Sequence, residues 1–151
     1  MRRNSVRTAI TLCAAASLAA VVGTASAAPT ASHAAKQRQG TPVLVDCFWH
    51  PEVRPANFIL ACGDGNSRLV SLHWSHWNQH SAVAEGVNMV NDCKPYCAAG
   101  KFHSYRVIVL LDHPEPWKKK PQVQHYSQMT LVYTNDRPQG YAHTVSYPLW
   151  N

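Results

Sequence analysis

Residues 58–74 carry the clearest structural signal in the chain and have the sequence Phe58-Ile59-Leu60-Ala61-Cys62-Gly63-Asp64-Gly65-Asn66-Ser67-Arg68-Leu69-Val70-Ser71-Leu72-His73-Trp74. Two apolar, β-branched runs, 58–62 and 69–74, flank a segment rich in glycine, aspartate and asparagine. Apolar runs of this length between turn signals are typical of β-strands. The residues between them tolerate the positive φ angles that a tight reversal needs. The stretch therefore predicts a β-hairpin.

Similar strand-like runs recur along the chain, over 43–45, 107–111 and 129–134. Segments 81–90 and 141–147 are further strand candidates, although Gly86 could break the first of them. No long segment keeps the 3.6-residue apolar period of an amphipathic helix. We therefore predict an all-β domain, built as a small antiparallel sandwich or barrel.

A proline-rich, lysine-rich segment lies between two of these strand candidates. Residues 113–121 hold three prolines and the run Lys118-Lys119-Lys120. Proline lacks the backbone N–H that a central strand uses for pairing, so the segment is predicted to be an exposed loop. A solvated loop tip is the favoured interpretation of the three adjacent lysines, and an acidic partner such as an anionic wall polymer is the alternative.

The N-terminus carries the three parts of a secretory signal peptide. Arg2, Arg3 and Arg7 precede an apolar stretch over 9–23, and Ala25-Ser26-Ala27 supplies the small residues that a signal peptidase accepts. The apolar stretch is shorter than the roughly 20 strongly apolar residues of a membrane-spanning helix. We therefore predict cleavage after Ala27, secretion to the extracellular space, and no membrane span after cleavage.

Cleavage would divide the 151 residues into a signal peptide over 1–27, a flexible leader over 28–41 and a single disulfide-bridged β domain over 42–151. The signal peptide holds three of the 14 basic residues and none of the 8 acidic ones, so the mature net charge is +3 rather than +6. Half of the basic excess therefore leaves with the signal peptide. A nucleic-acid partner is not expected.

Four of the five cysteines belong to the mature chain, because Cys13 lies in the predicted signal peptide. An even number in an oxidising compartment predicts two disulfides. Cys47 and Cys62 each lie at the edge of an apolar run, as neighbouring strands would place them, while Cys93 and Cys97 end a short loop. Four cysteines allow three connectivities, which the sequence does not separate, and of these we expect the pairs Cys47–Cys62 and Cys93–Cys97. A redox centre and a four-cysteine zinc site are alternatives that the spacing disfavours.

A cluster of histidines and tryptophans follows the predicted hairpin, His73-Trp74-Ser75-His76-Trp77-Asn78-Gln79-His80. On a helix, His73, His76 and His80 would share a face and could bind zinc or copper. On a strand, His73 and His76 would point to opposite faces. The alternation of Val70, Leu72 and Trp74 favours an extended segment. The metal site is therefore an alternative, and no cofactor is predicted.

Tryptophans are also the residues that a sugar-binding face uses, because flat rings stack on the apolar faces of pyranoses. Trp74, Trp77 and Trp49 are accordingly candidate binding residues. A small bridged β domain needs an aromatic core as well, and the spacing of these residues does not separate the two roles.

Sequence motifs do not favour an enzyme. The chain lacks the Gly-x-Ser-x-Gly, His-Glu-x-x-His and P-loop patterns. A Ser/His/Asp arrangement assembled from distant positions stays open, and the adjacent pairs of interest are Asp112-His113 and His103-Ser104. An extracellular hydrolase that depends on His73, His76 or His103 is therefore an alternative function.

Three segments carry a family resemblance: 53–66, 72–77 and 91–103. Together they resemble a family of small secreted proteins from actinobacteria that has no assigned activity, over about residues 43–133. The resemblance implies export and four mature cysteines, and it transfers no catalytic residue. Arg106 follows Tyr105 where the family pattern implies proline.

These observations predict a secreted, disulfide-bridged all-β protein that acts as a non-catalytic binding or interaction module. We expect a monomer with an extracellular or cell-wall partner.

Overall fold

The computed structural model describes residues 40–151. The predicted signal peptide over 1–27 and the predicted leader, apart from Gly40 and Thr41, lie outside the described residues. Within residues 40–151 no helix has the length and apolar character that a membrane crossing requires. The described chain forms β1 (Leu44–Val45), β2 (Pro51–Glu52), β3 (Phe58–Ile59), β4 (Ser67–Trp77), β5 (Ala82–Asn91), β6 (Phe102–Trp117), β7 (Lys120–Tyr133) and β8 (Thr144–Pro148), with a 3-10 turn over Cys97–Ala99.

The predicted antiparallel all-β class is confirmed. Strands β3 to β8 form one six-stranded antiparallel sheet in chain order, and β1 pairs with β2 as a separate hairpin. Along this sheet, each strand pairs with the strand that follows it in the chain.

The hairpin predicted over 58–74 is present, with a shorter first strand than expected. Phe58 pairs with Leu69 and Ile59 with Arg68. Beyond Ile59 the N–H groups of Leu60 and Ala61 both donate to the Ser67 carbonyl, at 2.9 and 3.0 Å. The chain therefore begins to turn two residues before Cys62. Gly65 adopts a φ of 69°, which supports the positive φ predicted for this reversal.

Strand β5 continues through Gly86 rather than breaking there. A Cβ atom at position 86 would lie 2.7 Å from Leu72 Cδ2 and 3.1 Å from the Val70 carbonyl oxygen. The pairing of β4 with β5 is irregular at the same place, between Val70 and His73. Glycine is therefore needed so that Leu72 can pack across β5 at the bulge.

The prediction of an exposed loop over 113–121 is wrong. Strand β6 runs to Trp117 and β7 starts at Lys120, so only Lys118 and Lys119 form the turn. Pairing between β5 and β6 ends at Leu111, and beyond it the prolines at 114 and 116 lie where β6 pairs with β7 alone. Proline is tolerated there because one edge of the strand needs no donor.

The sheet curls so that strands far apart in its order meet across the core. Trp77 at the end of β4 packs edge-on against Tyr126 of β7, with ring centroids 5.4 Å apart, although two strands separate β4 from β7. Trp77 Nε1 donates to the Pro42 carbonyl at 3.0 Å, and Tyr126 Oη donates to the carbonyls of Asn78 and Ser81. The enclosed core includes Leu44, Leu69, Leu72, Ala82, Ala84, Val107, Val109, Leu111, Met129, Leu131 and Tyr133.

Both predicted disulfides are present. Cys47–Cys62 joins the β1–β2 turn to the β3–β4 turn, with Cα atoms 5.5 Å apart, and Cys93–Cys97 closes a loop after β5.

The sheet also buries an imidazole. His125 of β7 is fully buried, and its Nε2 is 3.7 Å from Glu115 Oε1. Burial lowers the pKa of His125 below its usual value of 6.5, although the Glu115 carboxylate acts in the opposite direction. The folded protein therefore holds this imidazole neutral.

We predict that acid weakens the fold through His125. The unfolded state takes up a proton as the pH falls below 6.5 and the folded state does not, so the free energy of unfolding decreases there by up to about 1.4 kcal/mol per pH unit. Urea unfolding followed by tryptophan fluorescence between pH 8 and pH 5 measures this slope. The variant His125→Leu should flatten it, whereas the control His113→Leu, which changes an exposed ring, should not. An unchanged slope in His125→Leu would contradict the assignment.

Candidate functional site

The loop between β5 and β6 is fixed by the side chain of Asn91. Its Nδ2 donates to Asn66 Oδ1 at 2.9 Å and to the Cys97 carbonyl at 2.8 Å. Its Oδ1 accepts from the Cys93 N–H at 3.0 Å. The disulfide Cys93–Cys97 closes the same segment. A single amide thus holds both ends of the loop and ties it to the β3–β4 turn.

Gly100 allows this loop to fold back on itself. A Cβ atom at position 100 would collide with Asn91 Oδ1 and lie 2.8 Å from the Cys93 nitrogen. Since neither the amide nor the backbone can move without breaking the hydrogen bond between them, any side chain here would open the loop.

The folded loop presents Asp92 in a fixed orientation. Its Oδ1 accepts from the N–H groups of Lys101 at 2.9 Å and Lys94 at 3.1 Å. Its Oδ2 lies 2.9 Å from His103 Nε2. These hydrogen bonds, the one from Lys101 foremost and then that from His103, hold the pKa of Asp92 well below its usual range. Asp92 is therefore an anion at neutral and mildly acidic pH.

The ionised carboxylate determines how His103 presents its imidazole. A carboxylate can only accept hydrogen bonds, so Nε2 of His103 carries the hydrogen that points to Asp92. The neutral ring then offers Nδ1 as an acceptor of a hydrogen bond or a proton. The side chain is 49% exposed, which leaves it accessible to a ligand.

Asp92 and His103 line a cleft of about 470 Å³, which we call the His103 cleft. The residues that line it are Val90, Asn91, Asp92, Lys94, His103, Tyr105, Pro138, Gln139 and Tyr141. Its two sides are joined by a hydrogen bond from Lys94 Nζ to Gln139 Oε1 at 3.4 Å. The cleft therefore combines an anion, a cation, an amide and an imidazole within one concave surface.

Two tyrosines of the cleft are held from below by the core. The rings of Tyr105 and Tyr141 pack edge-on against Tyr133, with centroids 6.3 and 6.2 Å away. Tyr133 is itself fixed, because its hydroxyl accepts from the buried Asn88 Nδ2 at 2.9 Å. The aromatic part of the cleft is thus preorganised by the sheet rather than by the loop.

Two of the histidines predicted as metal ligands, His73 and His76, lie in the C-terminal half of β4. His73 pairs with Glu85 and His76 with Val83, and because Glu85 and Val83 share a face of β5, so do the two histidines. The expectation of opposite faces is wrong, since a bulge between Trp74 and His76 inserts an extra residue. His80 lies in the β4–β5 turn. Within residues 40–151 no three His, Cys, Asp or Glu side chains are grouped as a metal site requires.

The three candidate binding tryptophans are not brought together. Trp77 is only 8% exposed, and Trp74 packs edge-on against it with ring centroids 4.6 Å apart. Trp74 Nε1 donates to the Pro55 carbonyl at 2.8 Å. Trp77 therefore belongs to the core, the partly buried Trp74 packs against it, and Trp49 alone of the three is exposed.

The two adjacent pairs singled out in the sequence have different surroundings. His113 Nδ1 lies 2.8 Å from Asp112 Oδ1 on an exposed part of β6. Ser104 follows His103 in β6 and points to the other face of the strand. Among the described residues that line the His103 cleft there is no serine, threonine or free cysteine. The partner of His103 is therefore Asp92 and not its neighbour Ser104.

Sequence reasoning missed Asp92, because an aspartate beside a turn usually caps backbone amides. Asp92 does cap two amides, and its second oxygen is the one that meets His103. The position of Asp92 in the sequence could have revealed its contact with His103. Asp92 immediately precedes the Cys93–Cys97 loop and His103 follows it, so closing the loop brings the two together.

We predict that Asp92→Asn loosens the loop and releases the histidine. The neutral amide accepts more weakly than a carboxylate, so the amide protons of Lys94 and Lys101 should exchange several-fold faster. The imidazole of His103 should change from the Nε2–H tautomer to a mixture of the Nε2–H and Nδ1–H tautomers. The ¹⁵N chemical shifts of the ring measure this change. The control Asp112→Asn should alter only His113. Unchanged exchange and unchanged shifts would refute this role of Asp92.

Comparison with protein-family models, with curated protein sequences and with solved structures finds no match to this chain. We therefore infer function from the contacts, burial and charges of the described residues.

Proposed function

We propose that this protein is a secreted, non-catalytic binding module that holds a carbohydrate in the His103 cleft. The observation that carries the proposal is the juxtaposition of a preorganised Asp92–His103 pair with the fixed rings of Tyr105 and Tyr141. Each sugar hydroxyl both donates and accepts a hydrogen bond. The cleft supplies acceptors at Asp92 and His103, a donor at Lys94, and both at Gln139.

Preorganisation is what makes this cleft suited to a weakly apolar ligand. A sugar releases little free energy by burying apolar surface, so the cost of ordering the binding groups limits its affinity. Here the loop is already held by Asn91, and the tyrosines are already packed on Tyr133. Phenol rings can contact the C–H faces of a pyranose while their hydroxyls stay in water.

Secretion is supported by the sequence and by the cysteine chemistry. Residues 1–27 have the pattern of a signal peptide, and two disulfides persist in oxidising compartments. The resemblance that we infer for segments 53–66, 72–77 and 91–103 to small secreted actinobacterial proteins would also imply export. We place the mature protein outside the cell, acting as a monomer on a wall or matrix polysaccharide.

Intact mass spectrometry of protein from the culture medium tests the processing. The denatured mass should equal that of residues 28–151 less about 4 Da, because two disulfides remove four hydrogens. A native mass equal to a single chain would support the monomer. Retention of residues 1–27, or a mass without the loss of hydrogen, would contradict secretion through the oxidising route.

Ligand titration tests the cleft itself. We expect soluble wall and matrix oligosaccharides, added to ¹⁵N-labelled protein, to shift the backbone signals of residues 91–105 and 138–141 in a saturable way. The variants His103→Ala and Tyr141→Ala should each weaken binding about tenfold, because each removes a direct contact. Matched controls are His113→Ala and Tyr96→Ala, which change exposed residues outside the cleft lining. Absence of saturable binding across the panel, or equal effects of the control variants, would refute the proposal.

A hydrolase is the second candidate function, and one observation favours it. The Asp92 carboxylate fixes Nε2–H of His103, so Nδ1 could act as a general base toward water. Against this, Asp92 is the one carboxylate among the described residues lining the cleft, whereas most glycosidases need a pair. Turnover of a bound oligosaccharide that disappears in His103→Ala and persists in His113→Ala would establish the enzyme in place of the binding module.

A further inference from the structure

Two turns meet at the end of β6 opposite to the His103 cleft. One joins β1 to β2 over residues 46–50, and the other is the tight β6–β7 turn of Lys118 and Lys119. Lys119 Nζ lies 3.4 Å from the centroid of the Trp49 ring, a close cation–π contact. We call the surface formed by Phe48, Trp49 and Lys118-Lys119-Lys120 the basic tip.

The aromatic half of the basic tip is held outward by its backbone. Asp46 Oδ1 accepts from the N–H groups of Phe48 at 2.8 Å and His50 at 2.7 Å, and the Trp49 N–H donates to the Asp46 carbonyl at 3.1 Å. Trp49 adopts a φ of 65°, a strained value for a bulky residue. The neighbouring disulfide Cys47–Cys62 fixes the same turn.

This strained turn leaves two large rings in solvent. Phe48 is 69% exposed and Trp49 is 39% exposed. Exposed apolar rings on a strained, hydrogen-bonded turn are typical of an interaction surface.

The lysine half of the basic tip forms no ion pair with the part of the chain that the structure describes. None of the ion pairs within residues 40–151 involves Lys118, Lys119 or Lys120. The Asp46 carboxylate of the adjoining turn already accepts two backbone N–H groups and lies 3.3 Å from His50 Nδ1. The Glu115 carboxylate accepts from Asn151 Nδ2 at 2.8 Å, and Asn151 Oδ1 accepts from the Lys118 N–H at 2.7 Å. Among the described residues, the tip therefore presents three lysines without an ion pair beside the exposed Trp49 ring.

We propose that the basic tip binds peripherally to the anionic surface of a phospholipid bilayer. Lysines are attracted to the negative headgroup layer, while aromatic side chains partition into the boundary between headgroups and acyl chains. An anionic polysaccharide fits less well. Stacking on a sugar needs an open ring face, and Lys119 covers one face of Trp49.

This site is independent of the carbohydrate proposal. His103 lies at the start of β6 and Lys118 follows its end, so the strand separates the two surfaces. A protein bound to a bilayer through the basic tip would point the His103 cleft away from the membrane.

Vesicle co-sedimentation of the oxidised protein tests the proposal. We expect binding to phosphatidylcholine vesicles that contain phosphatidylglycerol, weakening as salt is raised, and none to phosphatidylcholine alone. Replacing all three lysines by glutamine (Lys118→Gln, Lys119→Gln and Lys120→Gln) should lower the affinity about a hundredfold, since each lysine contributes roughly fivefold. Phe48→Ser should lower it at least about fivefold without changing the salt dependence.

A matched control removes three charges from the other end of the sheet, by Arg68→Gln, Lys101→Gln and Arg106→Gln, and should bind vesicles as the wild type does. Far-UV circular dichroism and tryptophan fluorescence confirm that each variant is folded. If the two triple variants lost the same vesicle affinity, net charge alone would explain binding and the proposal would be overturned. Wild-type affinity of Phe48→Ser, or binding to neutral vesicles, would also overturn it. Binding to an anionic polysaccharide without binding to vesicles would have the same consequence.

Discussion

The contact between Trp77 and Tyr126 closes the sheet over its own apolar face, and the other parts of the fold are arranged around this closure. Within residues 40–151 a single large sheet has no helix to cover it, so its apolar face must be buried against itself. The sheet achieves this by curling until β4 meets β7, with the two rings 5.4 Å apart. The bulges in β4 and the glycine at 86 permit the curvature, because each relieves crowding where the strand bends.

In this curled sheet, both candidate binding surfaces lie at the turns and loops at its two ends. At one end, Asn91 and a disulfide hold the loop that carries Asp92, and the tyrosines below are packed on Tyr133. At the other end, Asp46 and the second disulfide hold the turn that displays Phe48 and Trp49. Both ends follow the same physical rule: short polar side chains satisfy backbone N–H groups locally, so the loops need no core of their own.

The strand pattern was readable from the sequence wherever a run was buried on one side. Segment 107–111 is the centre of β6, segment 129–134 covers the C-terminal end of β7, and the hairpin over 58–74 is in place. The sequence predicts a loop over 113–121 because proline usually interrupts a strand, whereas an edge without a neighbouring strand accepts it. The site was harder still. Asp92 has the local signature of a turn residue, and its second role depends on His103, eleven positions away, which no local pattern reports.

Local sequence patterns therefore predict the central strands and the reversal after β3, because these follow from apolar periodicity and from φ preferences. Four mature cysteines predict two disulfides, but their spacing does not fix the pairing. The faces of the strands and the partners of the side chains depend on tertiary packing. Tertiary packing places Trp77 in the core with Trp74 against it, and a bulge brings His73 and His76 to one face. It also joins Asp92 to His103 and Lys119 to Trp49. These outcomes depend on register and curvature, which are set by the packing of the whole sheet rather than by any one segment.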